Sequence, residues 1–186
     1  MDKTSILNQY RSICSDVLNK LTTKLNKSFK SFLMETLVLY IIIPGRINFL
    51  QMGRYGTSCE QRFRQNFSKD FDWLEFNLSL SERILTGNRK AIAIDPSYIS
   101  KSGKCTPWIG YFWSGTAGQA KRGLEILGVG LIDMHNKDCI SLKAVQTPDN
   151  QTPESNDLNL IDWYLPVLKS MKDKLHSVSR YVVADA

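Results

Sequence analysis

The chain has 186 residues, 42% apolar and 23% charged, with 24 Lys and Arg against 18 Asp and Glu for a net charge of +6. These values fit one large or two small globular domains and exclude a collagen, a coiled-coil rod and a wholly disordered chain. The excess charge lies in residues 1–90, which hold 14 basic and 8 acidic side chains, whereas residues 91–186 hold 10 of each; a basic half beside a neutral half points to a polyanion touched by the first.

The first apolar stripe runs along residues 2–26, where Ile6, Tyr10, Ile13, Val17, Leu21 and Leu25 recur at helical spacing. The pattern breaks over Asn26 to Lys30. A second helix is predicted from Ser31 to Ile43, stopped by Pro44-Gly45, and a short third over Ile47–Met52. Phe32 to Ile43 is the longest apolar run. It is interrupted by Glu35 and falls well short of the roughly 20 residues a spanning helix needs, so it reads as buried. A further helix starts near Thr57, where Thr57 and Glu60 have the spacing of a capping box. Phe63 and Phe67 share a face of it, Arg62 and Arg64 flank that face, and Arg54 precedes the cap. Short helices ending in a basic one resemble a helix-turn-helix unit that contacts DNA. A helical domain with a solvated basic face has the same pattern, and no base-reading residue stands out.

The texture changes at Thr86-Gly87-Asn88, which divides the chain into a helical, basic region 1–88 and a second region 89–186. Ala91 to Ile94 reads as a strand ended by Asp95-Pro96. Leu124 to Met134 reads as a second, weakened by Gly128 and Gly130 or approached closely there. Cys139 to Val145 follows a tight turn as a third. A helix over Leu158 to Leu175, with a kink or restart at Pro166, leads to a fourth strand, Tyr181 to Ala184. The tight turn makes strands two and three antiparallel. The helix returns the chain, so that strand four can lie parallel to strand one. Their C-terminal ends then carry Asp95 and Asp185. Paired carboxylates of this kind suit a hard divalent cation such as Mg²⁺, and two such ions activate water and stabilise the leaving oxygen of a phosphodiester. The expected carboxylate separation is roughly 4–7 Å. Either aspartate alone has a plainer reading, as a turn former beside Pro96 or as a helix cap.

The stretch Ala91-Ile-Ala-Ile-Asp-Pro-Ser-Tyr-Ile-Ser-Lys-Ser-Gly-Lys, the motif Gly-Tyr-Phe-Trp-Ser-Gly, the run from Lys121 to Asp133 and the segment Val182-Val-Ala-Asp185 carry a resemblance. Over about residues 90–186 the chain resembles the DDE transposases of bacterial insertion sequences, nearest to the group named insertion sequence four. The resemblance implies an α+β fold: a helical DNA-binding region followed by a partial ribonuclease-H-like domain, β-β-β-α-β, with a mixed sheet. It implies that Asp95 and Asp185 match the first two acids of the catalytic triad. It further implies Mg²⁺- or Mn²⁺-dependent hydrolysis at transposon ends, then attack of the freed 3′-hydroxyl on target DNA. A homodimer on double-stranded DNA and a cytoplasmic, nucleoid-associated bacterial protein without membrane contact belong to the same expectation. The family's third acid, a glutamate in a Tyr-Arg-Glu-Lys signature, has no counterpart; Glu125 and Glu154 do not match its position. The expectation is therefore an N-terminal portion with weak or absent cleavage and a loosely held end. The alternatives are another ribonuclease-H-like nuclease, or a non-catalytic DNA-binding protein that inhibits transposition.

Lys101, Lys104, Lys121 and Arg122 lie in glycine-containing segments and are candidate phosphate contacts, though solvated loops look the same. Trp108, Tyr111, Phe112 and Trp113 read mainly as core, with base stacking as the alternative. Ser97, His135 and His176 form no Ser-His-Asp arrangement. Cys14, Cys59, Cys105 and Cys139 are too far apart for a zinc knuckle; with no secretory signal they are expected to be reduced and mostly buried.

Overall fold

A computed structural model describes residues 3–103, 106–149 and 159–184. The fold is α+β: among the described residues there are six helices and one five-stranded mixed sheet. The chain forms two compact units, residues 1–80 and 81–186, so the division falls inside a helix rather than at Thr86-Gly87-Asn88.

The first unit is helical. It comprises α1 (Lys3–Lys20), α2 (Lys27–Ile42), α3 (Phe49–Tyr55), α4 (Glu60–Phe67) and the beginning of α5 (Trp73–Ile84). Asn26 caps α2 by accepting the Phe29 N–H, and Asn48 caps α3 by accepting that of Gln51. Cys14, Val17, Leu18, Phe32, Leu39, Met52, Phe63 and Phe76 are buried together. Phe63 is fully buried against Phe32, which is also edge-on to Phe67 and stacked with Phe29. Ile6 of the predicted stripe is exposed, and α1 ends at Lys20 rather than near residue 26.

The capping box at Thr57 does not form. The helix begins at Glu60 with Cys59 as its cap, and Cys59 makes no side-chain cap bond. Glu35 of α2 takes Thr57 instead: its Oε1 accepts from the Thr57 N–H at 2.6 Å, the Thr57 hydroxyl at 3.0 Å and the Ser58 N–H at 2.8 Å, and its Oε2 accepts from the Ser58 hydroxyl at 2.5 Å. Burial works against the charged form, but these donors outweigh it and hold the Glu35 carboxyl below its ordinary value. The charge inside the apolar run thus anchors the α3–α4 turn to α2.

The second unit is built on β3 (Gln119–Asp133), which pairs antiparallel with β1 (Lys90–Ser100), β2 (Gly110–Ser114) and β4 (Asp138–Gln146). After α6 (Leu160–His176), β5 (Val182–Ala184) lies parallel beside β1, with Ile92 opposite Val182 and Ile94 opposite Ala184. The antiparallel second and third strands and the parallel return thus form as expected. β3 alternates strictly: Glu125, Leu127, Val129, Leu131 and Asp133 are buried, and the residues between them are half-buried. Leu142 and Phe112 are buried as well, and α6, whose Met171 and Leu175 are buried, reaches this face where the Tyr164 hydroxyl donates to Glu125. Asn159 and Asp162 form the capping box of α6, which runs unbroken through Pro166. The restart expected there does not occur.

Strand one does not stop at Asp95-Pro96 but continues to Ser100. The Ile92 N–H donates to the Tyr181 carbonyl, so alternate residues of β1 direct their N–H toward the β5 side, Pro96 among them. The β5 pairing ends at Ile94. Proline's missing donor therefore removes no ladder bond to β3. Two of the cysteines, Cys59 and Cys139, are exposed, contrary to the expectation of mostly buried thiols, while Cys14 is buried; Cys105 lies outside the described residues.

Candidate functional site

Asp95 sits at the middle of β1 with an exposed side chain. The Ser97 hydroxyl donates to its Oδ2 at 2.9 Å. Strand alternation puts Ala93, Asp95, Ser97 and Ile99 on the face of the sheet opposite α6, where they line a shallow depression of about 730 Å³ with Ile126, Gly128 and Gly130. Gly128 is directly opposite Asp95, and a Cβ there would come within 3.1 Å of the Asp95 carbonyl oxygen. The lack of a side chain at Gly128 keeps the surface beside the carboxylate open. Asp185, the expected partner, lies outside the described residues, as does Lys104. Among the described residues no group of three or more His, Cys, Asp or Glu could hold a metal ion.

Glu125 is buried on the opposite face, where the Tyr164 hydroxyl of α6 donates to it. Burial, then the neighbouring Glu125, raises the Tyr164 hydroxyl well above its ordinary pKa. Glu125 therefore cannot join Asp95. Asp133, which the sequence did not single out, is fully buried at the end of β3. It accepts from the Gly87, His135 and Asn136 N–H groups at 2.7, 3.0 and 3.0 Å, and from the Asn136 side chain at 2.9 Å. The Asn136 N–H is the largest influence and burial opposes it; the net result holds the carboxyl at about 2. This is a structural lock on the β3–β4 turn; the turn-forming Asn136 was its only trace in the sequence.

The basic candidates divide. Arg54 is exposed in the last turn of α3, and Arg62 is half-buried on α4. Arg64 is engaged: it pairs with Glu60 at 2.5 Å and lies 5.2 Å over the Phe49 ring. Lys20, Lys24 and Lys27 are exposed around the α1–α2 connection, and Lys30 donates to Asn19 at 2.9 Å. In the second unit Lys101, Lys121 and Arg122 are exposed. Arg122 donates to the Gly103 carbonyl at 2.9 Å, and the Tyr98 hydroxyl donates to the Arg122 carbonyl at 2.8 Å, which pins the 101–103 loop to β3. The aromatic cluster is not simply core. Phe112 is buried, but Tyr111 and Trp113 are 68% and 65% exposed, and Trp108 pairs edge-on with Trp163 of α6.

No protein-family model and no curated protein matches the chain. No helix among the described residues is long and apolar enough to cross a membrane.

Proposed function

We propose that this chain works in DDE-type DNA transposition: a helical unit that holds duplex DNA at transposon ends and target, and a ribonuclease-H-like sheet that presents Asp95 and Asp185 to Mg²⁺ for strand cleavage and transfer. The observation that carries this reading is the parallel β1–β5 pairing. Its last register pair is Ile94 with Ala184, and the next residue in each segment is an aspartate. β1, β2 and β4 pair antiparallel with β3, and β5 returns parallel beside β1, which supports the reading although β2 is one strand more than the expected β-β-β-α-β order. Asp95 and Asp185 would hold the cation, which when bound neutralises phosphodiester charge and lowers the pKa of a bound water. The Ser97 hydroxyl holds the Asp95 carboxylate in one orientation, and Gly128 leaves a backbone surface beside it. Lys101, Lys104, Lys121 and Arg122 bind DNA phosphates.

Mn²⁺, a paramagnetic substitute for Mg²⁺, should broaden the amide signals of residues 93–97 selectively, and Asp95→Asn should abolish that broadening. Broadening that is absent, or unchanged in Asp95→Asn, rejects the metal role; duplex binding surviving alone would leave a non-catalytic DNA-binding protein.

Binding to duplex DNA should weaken steeply with salt through counterion release. Each phosphate-contacting arginine removed lowers the log–log salt slope by about one. Because Arg64 is tied to Glu60, Arg54→Ala, Arg62→Ala and Arg64→Ala together should lower it by about two. An unchanged slope moves the contact to Lys20, Lys24, Lys27 and Lys30.

A further inference from the structure

Tyr111 and Trp113 are both about two-thirds exposed and lie two residues apart on β2, so both rings stand on one face. Phe112 between them is buried and fixes the strand to the core. The hairpin is closed at its other end, where the Ala117 and Gly118 N–H groups donate to the Ser114 carbonyl at 3.0 and 2.9 Å. In register, Tyr111 faces Arg122 and Trp113 faces Ala120, and Arg122 holds the loop that carries Lys101. This is the face of the sheet that also bears Asp95, since the even residues of β3 oppose both Arg122's partner and Asp95. From Pro96 to Leu124 the chain has four basic residues and no acidic one. Asp149, which approaches Gly110, lies on the Phe112 side of β2 and so away from the two rings.

We propose that the β2–β3 hairpin is a stacking platform for unpaired bases of a nucleic-acid strand, with one base each on Tyr111 and Trp113 and with Arg122 and Lys101 on the phosphates. Two rings two residues apart along a strand are separated by roughly 7 Å, enough for one base on each. Stable large rings exposed to water, set on a rigid strand beside cations, match how sequence-tolerant single-strand binding is built. The proposal deepens the DNA-binding reading and rests on it for the class of partner; Asp95 and the metal play no part.

The test uses the full chain and a labelled deoxythymidine oligonucleotide of about 15 nucleotides, followed by fluorescence anisotropy. Tyr111→Ala and Trp113→Ala should each weaken binding about tenfold, while Tyr111→Phe and Trp113→Phe should stay near wild type because a ring remains. An abasic oligonucleotide of equal length should bind wild type about as weakly as the doubly substituted Ala variant binds the normal one. Ala variants that bind normally, or an abasic strand that binds as tightly as a normal one, overturn the platform, and retained duplex binding would then leave the DNA-binding reading intact. Absence of binding to both single strand and duplex overturns both.

Discussion

Phe63→Ala should destabilise the helical unit by about 4 kcal/mol, the range for deleting a fully buried phenyl ring. Phe63 has no exposed surface and meets Phe32, which in turn touches Phe29 and Phe67, so the cavity would open at the centre of an aromatic network whose members are held by one another. Close packing leaves little room for the neighbours to collapse inward. Chemical denaturation should show the loss. Amide exchange should accelerate in α1, α2 and α4 while the central residues of β3 keep their protection. A loss below about 1 kcal/mol would mean that the network relaxes around the gap, contrary to its burial.

The second large effect concerns Asp133. Its carboxyl titrates at about 2 in the folded chain, below its ordinary value, because Asn136, Gly87 and His135 donate to the ionised form. A depressed pKa contributes stability that is present above the ordinary carboxylate range and lost as pH falls from about 4 through about 2. Asp133→Asn should lower the melting temperature at pH 7 by several degrees, since an amide cannot accept all four bonds. The gap between variant and wild type should narrow as pH falls through that window. A gap that stays constant with pH would exclude the charge as its source. Gly87→Ala tests the same lock from the other side: a Cβ at residue 87 would lie 2.0 Å from Asp133 Oδ1, which forces the turn apart at a cost of about 2 kcal/mol.

The sequence made the sheet legible where one face is buried and local pattern decides. The run from Ile126 to Ile132, apolar or glycine throughout, and the turn before Cys139 marked both strands and their antiparallel pairing, and the alternating burial along β3 followed from its place in the sheet. It misled where a distant group intervenes. Thr57 and Glu60 had capping-box spacing, but Glu35, 22 residues earlier, captures the Thr57 side chain. α5 escaped notice because Leu74, Phe76, Leu78 and Leu80 alternate with period two, which reads as a strand and hides a helix capped by the Asp72 side chain on the Glu75 N–H. β2 is bounded by glycine and apolar on both faces, so Tyr111 to Trp113 looked like core although only Phe112 is. For the candidate site, Asp95 stood out by its place at the end of an apolar run. Its presentation in mid-strand depends on Pro96 lying where β1 has no β5 partner, a three-dimensional circumstance that no local pattern encodes.

The parallel pairing of β1 and β5 has a consequence for the order of synthesis. β1, β3 and β4 can zip together as soon as Gln146 has left the ribosome, whereas β5 is made after α6. At typical translation rates the roughly 80 residues between β1 and β5 take about 4–16 s. During that interval the β5 side of Ile92 to Ile94 is an open strand edge, a template for pairing with any neighbouring nascent chain. Slowing translation before codon 182 should therefore raise aggregation during synthesis, while refolding of the released chain at low concentration should be spared.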